Sequence, residues 1–434
     1  MSGLLCFYGD DFTGSTDVAL RYRHFGLRTV LVTEVPPVER ARELAADGDV
    51  LGIAGLTRSL PAAEIAPVLA PAFDTLAALA PRLVQYKVCS TADSSPLVGS
   101  FGPALQLGRA RFGERPVAVV VAQPELGRYT LFSHHFAADG GEVHRLDRQP
   151  AMANHPVTPM RESDLRRHIA EQTPLTVAGL DVLALSGPDR GARRWAELSA
   201  RGAGAVVVDA LDETHLRAAA DLLLGSAPGA TAFALGSGGL STGVALALTG
   251  GEPGAQEEPV APLERALVVS GSRSALTARQ IEHALARGWH GVALDLAALA
   301  AGGARRDAEV ERAARAAERA LASGPGVVVH SSPGAPSEGP MPPVAELGAA
   351  LGSVVRACRE RAGIERVVVA GGDTSGYVTR ALGVEALAAV GAVQGQALLC
   401  QVSAGDPAVA GLELVLKGGQ IGGEDLFEAA RTGR

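Results

Sequence analysis

A chain of 434 residues with 47% hydrophobic and 20% charged residues can bury more than one core, so two or three domains are expected. A net charge of −8 argues against nucleic acid or an anionic membrane as the main partner, though a local basic pocket for an anion is compatible with it. Cys6, Cys89, Cys358 and Cys400 show no CxxC spacing, which argues against a zinc knuckle and suits reduced core thiols in a cytoplasmic protein.

The first half alternates apolar runs with helical patterns. "LLCFYG", "RTVLVTEV", "DVLGIAG", "RLVQYKV" and "PVAVVVAQP" read as strands, and the segments between them as helices, several ending near glycine. "DVLALSG", "GAVVVDA" and "TAFALGSGG" read as further strands. Near-continuous apolar strands separated by helices predict a mostly parallel sheet covered on both faces. Residues 250–264, rich in Gly, Pro and Glu, read as a linker between a domain of residues 1–249 and one of residues 265–434. The second half restarts the alternation with "RALVVSGS", "GVALDL", "GVVVHSS", "RVVVAGGDTSG" and "LELVLKGGQIGG", with a Pro/Gly loop at 333–343. No basic leader with an apolar core and no charge-free apolar run of about 18 residues is seen.

In open parallel sheets, ligands bind at the carboxyl ends of strands. The residues that follow the strands are therefore the candidates. "YGDDFTGSTDVA" supplies Asp10, Asp11, Thr13 and Gly14; "GLTRS" supplies Arg58; "YKVCSTADSS" supplies Lys87, Ser90 and Asp93. Carboxylates, hydroxyls and two cations together suit a small, polyhydroxylated, anionic ligand. One aspartate can cap the helix that follows, which leaves the other needing a different role. Of 39 basic residues only Lys87 and Lys417 are lysines, so both mark places where a compact ammonium is wanted instead of a planar fork. In the second half three small-residue turns follow strands: Ser270 and Ser272 in "VVSGSRS", Gly371 to Thr374 in "VVVAGGDTSG", and Lys417, Gly418 and Gly419 in "LVLKGGQIGG". Such turns suit phosphate, although none is a Walker A loop or a GxGxxG fingerprint. His134, His135 and His144 lack metal-ligand spacing. "NHPVTPM" reads as an ordered loop, and "ALGSGGLSTG" as a tight turn with a serine cap.

In order along the chain, "YGDDFTGSTDVA", "GLTRS", "YKVCSTADSS", "NHPVTPM", "SGSRS", "AGGDTSG" and "LVLKGGQIGG" resemble the motifs of the four-carbon acid sugar kinase family. The resemblance implies two α/β domains with the active site in the cleft between them, the first binding a sugar acid and the second ATP. It implies phosphorylation of the terminal hydroxyl of a tetronate such as threonate, erythronate or an oxo-tetronate. It also implies that Ser270, Gly371 to Thr374 and Gly418 or Gly419 contact the nucleotide. The late motif departs from the family pattern, with Gly-Gly-Gln-Ile after Lys417 where relatives carry Asn and an aromatic.

The expected reaction is phosphoryl transfer from MgATP. Arg58 and Lys87 are assigned to the acid's carboxylate, and Asp10 or Asp11 to the acceptor hydroxyl and its proton. Asp373 is the candidate Mg2+ ligand, and Lys417 neutralises phosphate. A homodimer is a candidate assembly. Two rival readings keep the same residues: a sugar-acid sensor without catalysis, and a metal-assisted lyase or isomerase using the aspartate pair.

Overall fold

The structure, a computed structural model, describes residues 3–46, 48–187, 189–251, 260–331, 340–395 and 397–433. Most of the expected linker (252–259) and of the Pro/Gly loop (332–339) falls outside the described residues. The chain divides into two compact units.

The first unit is built on a parallel sheet in the order Val50–Ala54, Leu5–Gly9, Leu83–Lys87, Ala232–Gly236, Val117–Val120, Ala205–Val208 and Val177–Leu180. Every residue of Leu5–Gly9, Val50–Ala54 and Leu83–Lys87 is buried. Alternate side chains point to opposite faces, so burial of all of them means both faces are covered, as the unbroken apolar runs predict. The register aligns the strand ends: Ala54 and Lys87 flank Gly9, and Gly236 flanks Lys87 on its other side. A separate antiparallel sheet of Arg128–Leu131, His134–Asp139 and Glu142–Arg145 belongs to the same unit.

The second unit has strands in the order His290–Ala293, Gly326–His330, Ala266–Ser270, Arg366–Ala370 and Glu413–Lys417, all parallel. Two longer antiparallel strands follow, Ala397–Ala404 and Val384–Val393. Its core packs Val268, Val328, Val368 and Val415 of the sheet against Ile281 and Phe427 of the helices Ala275–Ala286 and Leu426–Thr432.

Three readings change. The strand in "RTVLVTEV" was expected in the first domain, but Val30–Thr33 group with the second unit, where Val30, Leu31 and Val32 pair with Ala388, Leu387 and Ala386. "DVLALSG" is not a strand. Asp181 accepts a hydrogen bond from Ala184 N at 2.9 Å and caps the short helix Val182–Leu185, and the strand is the preceding Val177–Leu180. An apolar run of four residues carries too little periodicity to separate the two. The antiparallel strands, between 128 and 145 and between 384 and 404, were not foreseen.

Candidate active site

The turn after Leu5–Gly9 runs directly into the helix Phe12–His24. Asp11 is its N-cap: Oδ1 accepts from Gly14 N at 2.8 Å. Asp10 has no capping role and is 2% exposed. Its backbone is fixed from both sides, since Asp10 N donates to Lys87 O and Arg58 N donates to Asp10 O. The three segments singled out in the sequence therefore meet through main-chain bonds alone.

The side chains then close a cluster. Arg58 donates from Nε and Nη2 to the two Asp10 oxygens, at 3.1 and 2.7 Å. It donates from Nη1 and Nη2 to the two Asp11 oxygens, at 2.7 and 2.9 Å. This leaves a single N–H of the guanidinium fork unused. Burial, aided by the Asp11 charge, pushes the Asp10 carboxyl up to about 6 against the pull of Arg58. For Arg58 burial works the other way, but the two carboxylates outweigh it and hold the guanidinium charged.

Lys87 is 3% exposed, and its Nζ has no hydrogen-bond or ion-pair partner among the described residues. It runs past Gly14, where a Cβ would lie 2.5 Å from Nζ and overlap Asp11 Oδ1. Glycine at 14 is thus a condition for the lysine's path. Thr13 sits half-buried beside it in the first turn of the helix.

The loop after Lys87 is held at three points, two of them buried. Ser90 O accepts from His135 Nε2 at 2.8 Å, and the ring's Nδ1 meets Thr130 Oγ1 at 2.9 Å. Asp93 accepts from Thr158 Oγ1, whose hydroxyl also meets His155 Nδ1 at 2.7 Å. Ser94 Oγ meets His168 Nε2 at 2.8 Å and Gln172 Nε2 at 3.0 Å. "NHPVTPM" is therefore a brace on Asp93. His135 and His168 are neutral struts, since burial pushes each ring down to about 4. The "ALGSGGLSTG" turn is as read: Ser237 Oγ accepts from Gly239 N and caps the helix Gly238–Thr249.

In the second unit the strand ends His330, Ser270, Ala370 and Lys417 stand in one register row across four neighbouring strands. Gly371 takes a φ of +120° and starts the helix Gly372–Ala381, whose first turn no side chain caps. A Cβ at Gly371 would lie 2.7 Å from Thr374 Oγ1. Ser270 is fully buried with an unpartnered hydroxyl, and His330 Nδ1 is likewise buried without a partner. Ser274 Oγ donates to Gly419 O at 2.5 Å, and Ser272 Oγ lies 3.4 Å from Ser274 Oγ. Lys417 is 2% exposed, and burial pushes its ammonium down to about 8. Its Nζ donates to Thr277 Oγ1 at 2.9 Å. Asp373 is exposed in the first turn of its helix. His330 and Thr277 were missed from sequence: nothing in "GVVVHSS" or "SALTARQ" distinguishes them from ordinary strand and helix residues.

Uncapped backbone N–H groups, a glycine that only a bare backbone can fill, an orphan hydroxyl and a cation without a carboxylate together fit a polyanion. Among the described residues no group of three His, Cys, Asp or Glu is placed to hold a metal ion.

The comparisons with known proteins match the chain to two domain models in sequence order. Residues 5–244 match the model of a sugar-binding N-terminal domain, and residues 267–427 that of a nucleotide-binding C-terminal domain. The chain belongs to the four-carbon acid sugar kinase family. It is 40% identical to a 3-oxo-isoapionate kinase of Paraburkholderia graminis, over 99% of this chain and 94% of that one. It is 33% identical to a 3-oxo-tetronate kinase of Methylobacterium radiotolerans, over 99% of each. Among solved structures it is similar to a Salmonella typhimurium LT2 protein that carries the provisional description of a tRNA synthase. The TM-score there is 0.80 at 26% identity, over 98% of each chain. A Haemophilus influenzae protein shares the fold at a TM-score of 0.76 and 24% identity, over 98% of this chain and 99% of that one.

Proposed function

We propose that the protein transfers the terminal phosphoryl group of ATP to a hydroxyl of a short 3-oxo sugar acid, of the tetronate or branched isoapionate type. The observation that carries the reading is the part-buried Asp10–Arg58–Asp11 cluster beside the Lys87 ammonium, which has no partner among the described residues, at aligned strand ends of the sugar-binding half.

Lys87 holds the acid's carboxylate. The sequence reading shared that task with Arg58, but Arg58 is taken up by the two aspartates. Arg58 instead fixes their orientation and lets two carboxylates coexist in a buried place. Asp11 is bound to the helix cap, so Asp10 is the group that accepts the acceptor hydroxyl's proton. Ser90 and Asp93 present polar atoms to the sugar hydroxyls from the braced loop.

ATP supplies the phosphoryl group. Ser270, Ser272, the Gly371 to Thr374 turn, Lys417 and the Gly418–Gly419 pair surround its phosphates in this reading. Mg2+ held mostly by phosphate oxygens and water needs few protein ligands, and Asp373 would serve as its carboxylate. A cytoplasmic location agrees with four free cysteines and with the need for ATP; no helix among the described residues is long and apolar enough to cross a membrane.

The test is ADP release measured over a panel of C4 to C6 sugar acids with and without a 3-oxo group. Turnover with a 3-oxo acid is expected. ATP binding by the protein together with no ADP release above background on any acid sinks the kinase reading.

A further inference from the structure

Lys417 presents an unusual problem. It is a buried cation with no acidic side chain within ion-pairing distance among the described residues. An unpaired buried ammonium is costly, and its geometry has to be maintained by something other than charge. The only hydrogen bond its ammonium makes among the described residues is to Thr277 Oγ1. We propose that Thr277 is the positioning residue that aims the Lys417 ammonium at the nucleotide's phosphates and ties it to the glycine loop beside them. The inference rests on the reading of the second unit as the ATP site.

Three observations support it. Thr277 is fully buried on the first turns of the helix Ala275–Ala286, and its backbone N is fixed by Ser274 Oγ at 3.1 Å. The hydroxyl therefore starts from a rigid element. The same oxygen that accepts from Lys417 Nζ also donates to Gly419 O at 3.2 Å. One hydroxyl thus sets the distance between the ammonium and the Gly418–Gly419 turn. Finally, one ammonium hydrogen goes to Thr277, and the remaining two have no protein partner among the described residues. The buried Ser270 hydroxyl, in the same register row, is also unpartnered. Phosphate oxygens would satisfy both.

The same helix holds the rest of the loop that follows the lysine, Gly419, Gln420 and Ile421 included. Ser274 and Thr277 hold Gly419 O, and Gln280 Nε2 donates to Ile421 O at 3.0 Å and to Gly423 O at 2.8 Å.

The test compares Thr277→Ser and Thr277→Ala, which share the loss of the methyl group and differ only in the hydroxyl. Thr277→Val controls for volume. Thr277→Ala and Thr277→Val are expected to raise the KM for ATP about tenfold or more, with the KM for the sugar acid within about twofold of wild type. Thr277→Ser is expected to recover most of the ATP affinity. In a cycle with Lys417→Met, the Thr277→Ala loss should vanish, because there is no ammonium left to aim. Equal ATP affinity in the Ser and Ala variants overturns the proposal, and so do fully additive losses with Lys417→Met. Isothermal titration of wild-type protein with ATP separates the two levels. If wild type fails to bind ATP, the nucleotide reading falls and takes this inference with it. If wild type binds and Thr277→Ala binds equally well, only the inference falls.

Discussion

At the scale of single residues, Asp10 and Asp11 are neighbours with different work. Asp11 closes the helix, and Asn caps about as well as Asp, so Asp11→Asn should retain most stability while Asp11→Ala loses about 1 kcal/mol in denaturant melts. Asp10→Asn should lower kcat by about 100-fold or more. With its carboxyl at about 6 in the free protein, kcat/KM for the acid should fall about tenfold per pH unit below that value and level off above it. The limb should disappear in Asp10→Asn; its persistence there would assign the proton to another group. Gly14→Ala pushes a methyl into Asp11 and the Lys87 ammonium, so the KM for the acid should rise at least tenfold while that for ATP stays put. The presence of Asp10, Asp11, Arg58 and Lys87 at strand ends was legible from sequence, because apolar runs announce where strands stop. Their division of labour was not. Arg58 lies 48 residues from Asp10, and no local pattern says which oxygen its fork will meet.

At the scale of elements, the loop that carries Ser90 and Asp93 owes its shape to neutral histidines. Both His135 and His168 are held at about 4, below the ordinary imidazole value of about 6.5. The unfolded chain takes up these protons first, so the stability they confer is whole above about pH 6.5. It drains away as pH falls towards 4, by up to about 1.4 kcal/mol per pH unit for each ring. His135→Gln and His168→Gln should each flatten the drop in Tm between pH 6.5 and 4.5, and an unchanged slope would show that the rings do not titrate on unfolding. "SHHF" gave no hint of this, because the partners Ser90 and Thr130 come from a strand-end loop and from a hairpin whose strands are short and only half-buried.

At the scale of the molecule, the units divide within the Gly/Pro/Glu-rich stretch 250–264, with one early strand as the exception. Val30–Thr33, near the start of the chain, belong with the second unit, and Thr33 Oγ1 donates to Val384 O across 351 positions of sequence. Leu31 is 1% exposed, so Leu31→Ala should cost about 2–5 kcal/mol. Hydrogen exchange should place the loosening at Val384–Val393, far along the chain; loosening confined to residues near 31 would count against the pairing. An apolar run announces a strand but never its partner, which is why this one is read with its sequence neighbours.

Both of the chain's lysines are buried, at 3% and 2% exposure, while all other basic side chains are arginines. The folded surface therefore offers no lysine amine to an acylating reagent or a lysine-specific protease. If the proposed sites are right, any lysine label that does enter reaches one of them, and its rate should slow with sugar acid for Lys87 and with ATP for Lys417, reporting occupancy of each half of the protein without a designed probe.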